Sequence, residues 1–293
     1  MMALQRPSSW SPAIAELKFA LHLLLQNKVV LVGTVISVGV LITAAIGPII
    51  ISPEVATSIY LPGRLDPPSS AHWLGTDDYG RDLLQIIILS TRLDISAALI
   101  IVGADLLIGV LLGAFSGFVG GKFDEVMMRI TDIFFSIPGL VLALAVAAAL
   151  GRGLNNLIVA IIIVGWPGYT RILRGLVLAE KERLYVDALR SLGIGRFRII
   201  LRHVIPNTIY PVLVQSTLDL GGIILTFAGL SFLGFGATAL TPELGRLITT
   251  GQSYIFQAPW LVAFPGLAIL IISLAFNLMG DGIRDVLDPR LRR

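Results

Sequence analysis

Side chains that commonly carry chemistry are scarce in this chain of 293 residues. Cysteine is absent, which excludes disulfides, thiolate nucleophiles and cysteine metal sites. The three histidines, His22, His72 and His203, are too scattered to indicate a metal cluster. The phosphate-binding pattern G-x-x-x-x-G-K-[ST] does not occur, and neither does H-E-x-x-H or G-x-S-x-G. We therefore predict a chain without catalytic residues, without a metal site and without a cofactor of its own.

The densest charge lies between Thr170 and Thr208, where eight Lys and Arg residues accompany only three acids. Apolar runs flank this segment on both sides, and a basic segment between membrane spans lies on the cytoplasmic side. Within it, small and apolar residues at helical spacing predict a short helix from Arg183 to Leu192, with Gly193 as its stop. Alternatively, the basic segment serves only as a topology determinant or as a site for anionic lipid.

The composition indicates the elements that must hold these residues. Hydrophobic residues make up 55% of the chain and charged residues 14%, and the mean hydropathy is +0.86. These values are typical of an all-α membrane protein, so the net charge of +3 indicates membrane topology and not a nucleic-acid partner. Six apolar runs approach the length of a spanning helix: Val29 to Ile51, Ile95 to Val119, Ile133 to Leu150, Leu154 to Thr170, Thr208 to Leu233 and Ala258 to Met279.

The distribution of basic residues predicts the orientation. Seventeen of the 22 Lys and Arg residues fall in the two tails, the second loop and the fourth loop, so both termini are predicted to be cytoplasmic. The first run is predicted to be a retained helix, because no small-residue cleavage pattern follows it. The predicted organisation is a cytoplasmic segment 1–28, a first spanning helix 29–51, an extracytoplasmic loop 52–94, a core domain 95–280 with five spanning helices and a basic loop 171–207, and a cytoplasmic tail 281–293.

Two acids, Asp105 and Asp219, fall inside predicted spans. A charged carboxylate at a helix centre costs about 2.5 to 3.5 kcal/mol on insertion scales, so both side chains are expected to face protein or water. An interhelical hydrogen bond is the alternative to a place on a solute pathway. Near the start of the third span, Asp124, Arg129 and Asp132 are expected to pair with one another.

The basic segment also resembles a family signature. Asp187-Ala188-Leu189, then Gly193, then Ile205-Pro206 resemble the E-A-A-x3-G-x9-I-x-L-P signature of permease subunits from ATP-binding-cassette importers, with Asp for Glu, Leu for the second Ala and His203 for Ile. In that family the segment is a cytoplasmic coupling helix that docks on an ATPase. The resemblance assigns this role to Tyr185, Val186, Asp187, Ala188, Leu189, Ser191, Leu192, Gly193 and Pro206.

Three further segments resemble one branch of these permeases, the second permease of dipeptide, oligopeptide and nickel importers. They are HWLGTDDYGRD at 72–82, GGKFDEVMMRITDIFFSIP at 120–138 and GLSFLGFG at 229–236. The segment at 72–82 has two alternative interpretations. It either contacts a solute-binding protein or caps the pathway, or it only forms local ion pairs and caps turns. The residues concerned are Gly75, Thr76, Asp77, Gly80, Arg81 and Asp82.

The resemblance implies a type I ABC importer permease fold with six transmembrane helices in a prokaryotic inner or cell membrane, surrounded by lipid. Such a chain forms half of a translocation pathway with a homologous second permease, two ATPase subunits that bind ATP and Mg, and an extracytoplasmic solute-binding protein. Helix 5 of such permeases lines the route, so Asp219 is predicted to lie on it, together with Phe227, where many relatives carry an acid. Peptides, oligosaccharides, metal complexes and glutathione remain alternative solutes, and an ATP-independent carrier or channel is the alternative class.

Overall fold

The computed structural model describes residues 27–52, 54, 58–236 and 240–287. Most of the predicted N-terminal segment 1–28 and the end of the predicted tail 281–293 lie outside these ranges. Within them the regular elements are helices, apart from one β-bridge between Thr76 and Asp82. This agrees with the predicted all-α class.

Eleven α-helices follow in chain order within the described residues. They are α1 Lys28–Ile50, α2 Leu83–Val119, α3 Gly121–Phe135, α4 Gly139–Leu150, α5 Leu154–Glu180, α6 Leu184–Ser191, α7 Arg196–Ile199, α8 Ile205–Thr208, α9 Tyr210–Leu230, α10 Leu244–Gln252 and α11 Trp260–Leu287. A π-helical turn, Ile200–Val204, joins α7 to α8, and a second, Ser231–Phe235, extends α9. The long helices α1, α2, α5, α9 and α11 are apolar enough to cross a membrane, and α3 with α4 makes a sixth crossing if the bent pair counts as one.

Helix α2 begins at Leu83, well before the predicted start at Ile95, because the Asp82 carboxylate accepts a hydrogen bond from the Gln85 amide and caps the helix. Its 37 residues span about 55 Å, which exceeds the roughly 30 Å of a hydrocarbon core. The predicted loop 52–94 is therefore shorter than expected, and α2 extends beyond the apolar layer. Helix α5 likewise continues past Thr170 to Glu180.

The predicted third span, Ile133 to Leu150, is not one straight helix. Helix α3 ends at Phe135, α4 begins at Gly139, and the two are bent by 91°. Pro138 stands at the break, where its ring fixes φ and its missing N–H removes a helical hydrogen bond. The apolar count over this run was correct, but the proline divides it between two helices.

Helix α2 is the central element of the packing. Its residues contribute to all three apolar clusters of the described chain, for example Ile86, Ile101 and Phe118. Against α5 it presents glycines at four-residue spacing, among them Gly113, where an added β-carbon would lie 2.5 Å from the Thr170 carbonyl oxygen. Small residues at this spacing allow two membrane helices to approach closely.

Candidate functional site

The basic segment folds as predicted into a short helix, α6. Leu192 donates its N–H to the Ala188 carbonyl, and Gly193 donates to the Arg190 carbonyl at 3.0 Å. Gly193 has φ of 74°, a left-handed conformation that glycine adopts without steric cost. The chain thus turns sharply at the residue that the sequence marks as the helix stop.

One side of α6 is anchored to the helices above it. Val186 is fully buried in an apolar cluster with Val177 and Ile200. The Tyr185 hydroxyl donates a hydrogen bond of 2.9 Å to the buried Glu180 carboxylate, and burial together with that acid raises the pKa of Tyr185. These contacts tie α6 to the end of α5.

The opposite side of α6 is exposed. Leu184 is 87% and Leu192 76% exposed, and both flank a surface that includes Asp187 and Ala188. Of the predicted coupling residues, Tyr185, Val186 and Leu189 point into the cluster that anchors the helix, whereas the other members are exposed: Asp187, Ala188, Ser191, Leu192, Gly193 and Pro206. The predicted set therefore divides into an anchoring part and a surface part.

Two cross-helix ion pairs join α3 to α5, and a hydrogen bond ties the end of α2 to one of them. Arg174 binds Asp124 through Nη2 at 2.5 Å, and Ser116 donates a further hydrogen bond to the same carboxylate. Arg171 pairs with Asp132. The expectation that the acids of α3 pair within their own helix was wrong, since their partners belong to α5, which the spacing along α3 does not reveal.

A polar stripe runs along α9. Gln215, Asp219, Gly222 and Thr226 recur at intervals of four, three and four residues and so share one helix face. The Gln215 side-chain amide donates a hydrogen bond of 2.9 Å to the Asp219 carboxylate, and the Asp219 side chain is partly exposed. A stripe of this kind suits a protein or water contact better than lipid.

The second residue predicted for the pathway lies elsewhere. Phe227 is fully buried in a cluster with Ile101, Leu157 and Leu230, on a face of α9 away from the polar stripe. The aromatic side chain fills a core in this structure and does not line the stripe beside Asp219.

Asp105 on α2 lies next to the stripe, on its buried side. Its carboxylate interacts electrostatically with Asp219, as does the Tyr169 hydroxyl of α5. Gly165 of α5 lies against the Asp105 carboxylate, where any β-carbon would overlap it. Sequence analysis selected both acids but not Tyr169, whose only signal was its spacing of four residues after Gly165.

The motif at 72–82 forms a compact turn before α2. Arg81 donates to the Asp77 carboxylate from Nε at 2.7 Å, and both side chains are buried. Asp82 caps α2 and binds the His72 ring at 2.8 Å, and Thr76 donates to the Gly63 carbonyl at 2.6 Å. These contacts favour the local interpretation of the motif, in which ion pairing and capping shape the loop.

Positive φ angles complete this turn at Gly75 and Gly80. A β-carbon at Gly75 would lie 2.7 Å from the Asp66 carbonyl oxygen and 2.9 Å from the Trp260 indole nitrogen. Burial, reinforced by the neighbouring Asp77 charge, raises the pKa of the Asp78 carboxyl. All six predicted residues of the motif lie in this turn, and their role in transport stays a prediction.

A second pair of buried acids was not singled out from the sequence. Glu243 caps α10, because its carboxylate accepts hydrogen bonds from the Gly245 and Arg246 amides at 2.9 and 3.1 Å. The Ser231 hydroxyl donates a further hydrogen bond to the same carboxylate. Asp94 of α2, assigned to the loop by its sequence position, is buried and accepts from the Leu244 amide at 3.3 Å. Burial raises the pKa of Glu243. The available signal was an acid directly before an apolar helical run.

Comparison with known proteins identifies the family of this chain. The profile of the family described as "Binding-protein-dependent transport system inner membrane component" matches residues 109–293. Similar proteins include a probable D,D-dipeptide transport system permease of Escherichia coli K12, 45% identical over 82% of this chain and 82% of the relative. A dipeptide transport system permease of Alkalihalophilus pseudofirmus is 38% identical over 97% of this chain and 91% of the relative. A nickel transport system permease of E. coli K12 is 40% identical over 80% of this chain and 84% of the relative.

Among solved structures, an inward-facing MetNI methionine ABC transporter chain matches with a TM-score of 0.56 and 18% identity, over 70% of this chain and 98% of that one. This similarity supports the type I fold. The relatives are permease subunits, which places the chain in the cell membrane as a multi-pass, non-catalytic component. The chain therefore belongs to the binding-protein-dependent transport system inner membrane components, as an ABC importer permease of the dipeptide, oligopeptide and nickel type.

Proposed function

We propose that this chain forms half of the translocation pathway of an ATP-driven importer and receives mechanical force through α6. The observation that carries the proposal is the division of α6 into an anchored and an exposed face. Val186 fixes the helix to α5, while Leu184 and Leu192 leave apolar surface uncovered at the cytoplasmic end. An exposed apolar patch of this kind marks a protein contact.

The partner of α6 is proposed to be an ATPase subunit. The chain has no phosphate-binding loop of its own, so ATP and Mg belong to a separate subunit. Closure of two such subunits would move α6, and the ion pairs Arg174 with Asp124 and Arg171 with Asp132 would carry the motion to α3 and α5. A homologous permease would complete the pathway, and a binding protein outside would deliver the solute.

The solute class is proposed to be small peptides. Relatives are named for D,D-dipeptides and dipeptides, and others for nickel and glutathione. The polar stripe of α9, centred on Asp219, provides hydrogen-bonding groups that a peptide needs along its route.

The coupling role is tested by replacing Ala188 with Glu in the assembled transporter. Ala188 is exposed, so the variant is expected to fold and insert normally, but a new charge buried at the docked interface would weaken docking. Uptake of a labelled dipeptide into proteoliposomes should fall at least about tenfold, which corresponds to about 1.4 kcal/mol.

Ala188→Ser is the matched control, because it changes the same position without adding charge or much volume. It should transport at the wild-type rate. Wild-type uptake by the Ala188→Glu variant would remove the coupling role from α6, whereas loss of the chain from the membrane would show a folding defect and is checked by its abundance in the bilayer.

A further inference from the structure

The last residue of α5 is a buried acid, Glu180, and only 6% of it is exposed. Burial disfavours its negative charge, and so does the partial negative charge at the C-terminus of a helix. The neighbours of Glu180 must therefore offset the cost of holding a carboxylate at this position.

Two side chains on or next to α6 bind this carboxylate. Arg183 Nε lies 2.9 Å from Oε2, and the Tyr185 hydroxyl donates a hydrogen bond of 2.9 Å to Oε1. The Arg183 side chain is 67% exposed, so solvent screens its charge. Tyr185 is partly buried, and its hydroxyl is the better protected of the two contacts between the end of α5 and α6.

The same hydroxyl has a second partner, which lies after α6 in the chain. Asn207 Nδ2 donates to the Tyr185 oxygen at 3.3 Å and to the His203 carbonyl at 2.8 Å. Asn207 belongs to α8, and one residue, Ile209, separates α8 from α9. Because a tyrosine hydroxyl can donate and accept at once, this oxygen joins the helix before α6 to the helices that follow it.

These hydrogen bonds add direction to an apolar contact. Tyr185, Leu189 and Ile205 also pack against one apolar cluster, but apolar packing is not directional. Hydrogen bonds prefer a narrow range of distance and angle. A displacement of α6 would therefore carry Asn207 with it, and with Asn207 the start of α9.

We propose that Glu180 and Asn207 are positioning residues that act through the Tyr185 hydroxyl. They hold α6 in a fixed position against α8, so that a displacement of α6 reaches α9. This inference rests on the proposed function, because it takes α6 as the element that receives the force. It adds α9, which carries the polar stripe, to the helices that the ion pairs of Arg171 and Arg174 connect.

The test follows one thiol on α9. Gly222→Cys gives the chain its only cysteine, and a β-carbon at Gly222 meets no atom within 4 Å. The purified transporter complex with this change is treated with a water-soluble maleimide, with and without an ATP analogue that the ATPases cannot hydrolyse, and the labelled fraction of this chain is measured. The analogue should change the labelling rate at least about threefold, because nucleotide binding shifts the population of α9 positions.

Tyr185→Phe in the Gly222→Cys background removes the hydroxyl alone. The nucleotide-dependent change in labelling rate should fall by at least about half, because the directional contact between α6 and α8 is lost. Tyr210→Phe is the matched control, since it removes the same atom from a side chain that is 59% exposed at the start of α9. It should keep the full change.

Two further readouts separate positioning from stability. Glu180→Gln keeps an oxygen acceptor for the Tyr185 hydroxyl and should retain the response, whereas Glu180→Leu should lose it. Asn207→Ala combined with Tyr185→Phe should lose no more than Tyr185→Phe alone, because both act through one hydroxyl, whereas independent losses add. If a variant at Glu180 or Tyr185 fails to fold, Asn207→Ala decides the question, since Asn207 is exposed.

The inference is overturned by a full response in Tyr185→Phe, by an equal loss in Tyr210→Phe, by a lost response in Glu180→Gln, by additive losses in the double variant, or by a thiol at 222 that ignores nucleotide. Uptake by Ala188→Glu decides the docking role separately. Wild-type uptake by that variant removes docking whatever the thiol reports. Reduced uptake there, together with a full response in Tyr185→Phe, removes only the positioning role.

Discussion

Single residues shape the turn at 72–82, and Gly80 shows how strict one position can be. Its φ of 74° lies in the left-handed region, and a β-carbon there would overlap the Tyr60 carbonyl group. This close approach places the segment around Tyr60 against the motif, where the Tyr60 backbone N–H donates a hydrogen bond of 2.8 Å to the Tyr79 carbonyl. The glycine in the motif is thus required by both conformation and space.

Gly80→Ala is therefore expected to lower the unfolding midpoint of the complex. Adopting the left-handed conformation costs a non-glycine residue about 1 to 2 kcal/mol, and the clash with Tyr60 adds to it. Gly121→Ala is the control, since Gly121 has φ of 62° but nothing within 4 Å of its β-carbon position. Equal losses in the two variants would show that the contact with Tyr60 contributes nothing.

At this scale the sequence identified residue types better than their partners. Asp105 and Asp219 were selected because acids in apolar runs are costly, and the structure brings both to one place. Tyr169 was missed, because a tyrosine in an apolar run is ordinary and only tertiary packing aims its hydroxyl at the acids. Phe227 was selected from a family pattern, and the structure buries it in a core.

Among elements, the pair α2 and α5 carries the most extensive packing, through the glycine stripe of α2. An added β-carbon would lie 2.5 Å from the Thr170 carbonyl at Gly113 and 2.9 Å from the Arg174 carbonyl at Gly117. Close backbone contact holds the two helices together near their C-terminal ends, where they meet α3 and α6. The same pair positions Asp105 of α2 opposite Gly165 of α5.

Gly113→Val is expected to disrupt this pair. The two added methyl groups and the β-carbon cannot fit against the α5 backbone, and overpacking costs about 1 to 3 kcal/mol or more. The amount of assembled complex recovered from membranes should fall severalfold. Gly103→Val is the control on the same helix, because nothing lies within 4 Å of its β-carbon position, and it should assemble as the wild type does. Normal assembly of the Gly113 variant would show that α2 and α5 tolerate separation.

Element boundaries followed the sequence where local signals were strong. The α6 helix and its stop at Gly193 were predicted from spacing and glycine chemistry and are present. The start of α2 was not, because Arg92 and Asp94 interrupt the apolar run before Ile95, and only the structure shows that Asp94 is buried and accepts a hydrogen bond from the Leu244 amide of α10. Pro138 marks the position of the break between α3 and α4, but the sequence does not reveal the angle of 91° between the two helices.

At the scale of the molecule, the positive-inside distribution predicts that α6 lies in the cytoplasm and the 72–82 motif on the other side of the membrane. The absence of cysteine makes this directly testable, since an introduced thiol is the only one in the chain. Exposed positions are available for both predicted sides: Trp73 is 72% and Phe256 100% exposed in turns predicted to be extracytoplasmic, and Leu192 is exposed on α6.

Trp73→Cys and Phe256→Cys are expected to react with a membrane-impermeant maleimide that reaches the outer face of the membrane holding this chain while that membrane stays sealed. Leu192→Cys should react only after the inner membrane is permeabilised. The measurement is the labelled fraction of the chain before and after permeabilisation, with the cysteine-free wild type as the blank. Labelling of Leu192→Cys in intact cells would invert the topology and place α6 beyond the reach of an ATPase.

The sequence by itself determined the membrane class, the short basic helix and the family, because apolar length and glycine or proline chemistry act locally along the chain. Only the tertiary structure decided which distant residues meet. It paired Asp124 with Arg174, placed Asp94 beside Glu243, and gathered Asp105, Tyr169 and Asp219 from three helices. Such contacts depend on how helices rotate and approach one another, and that is fixed by packing over the whole molecule.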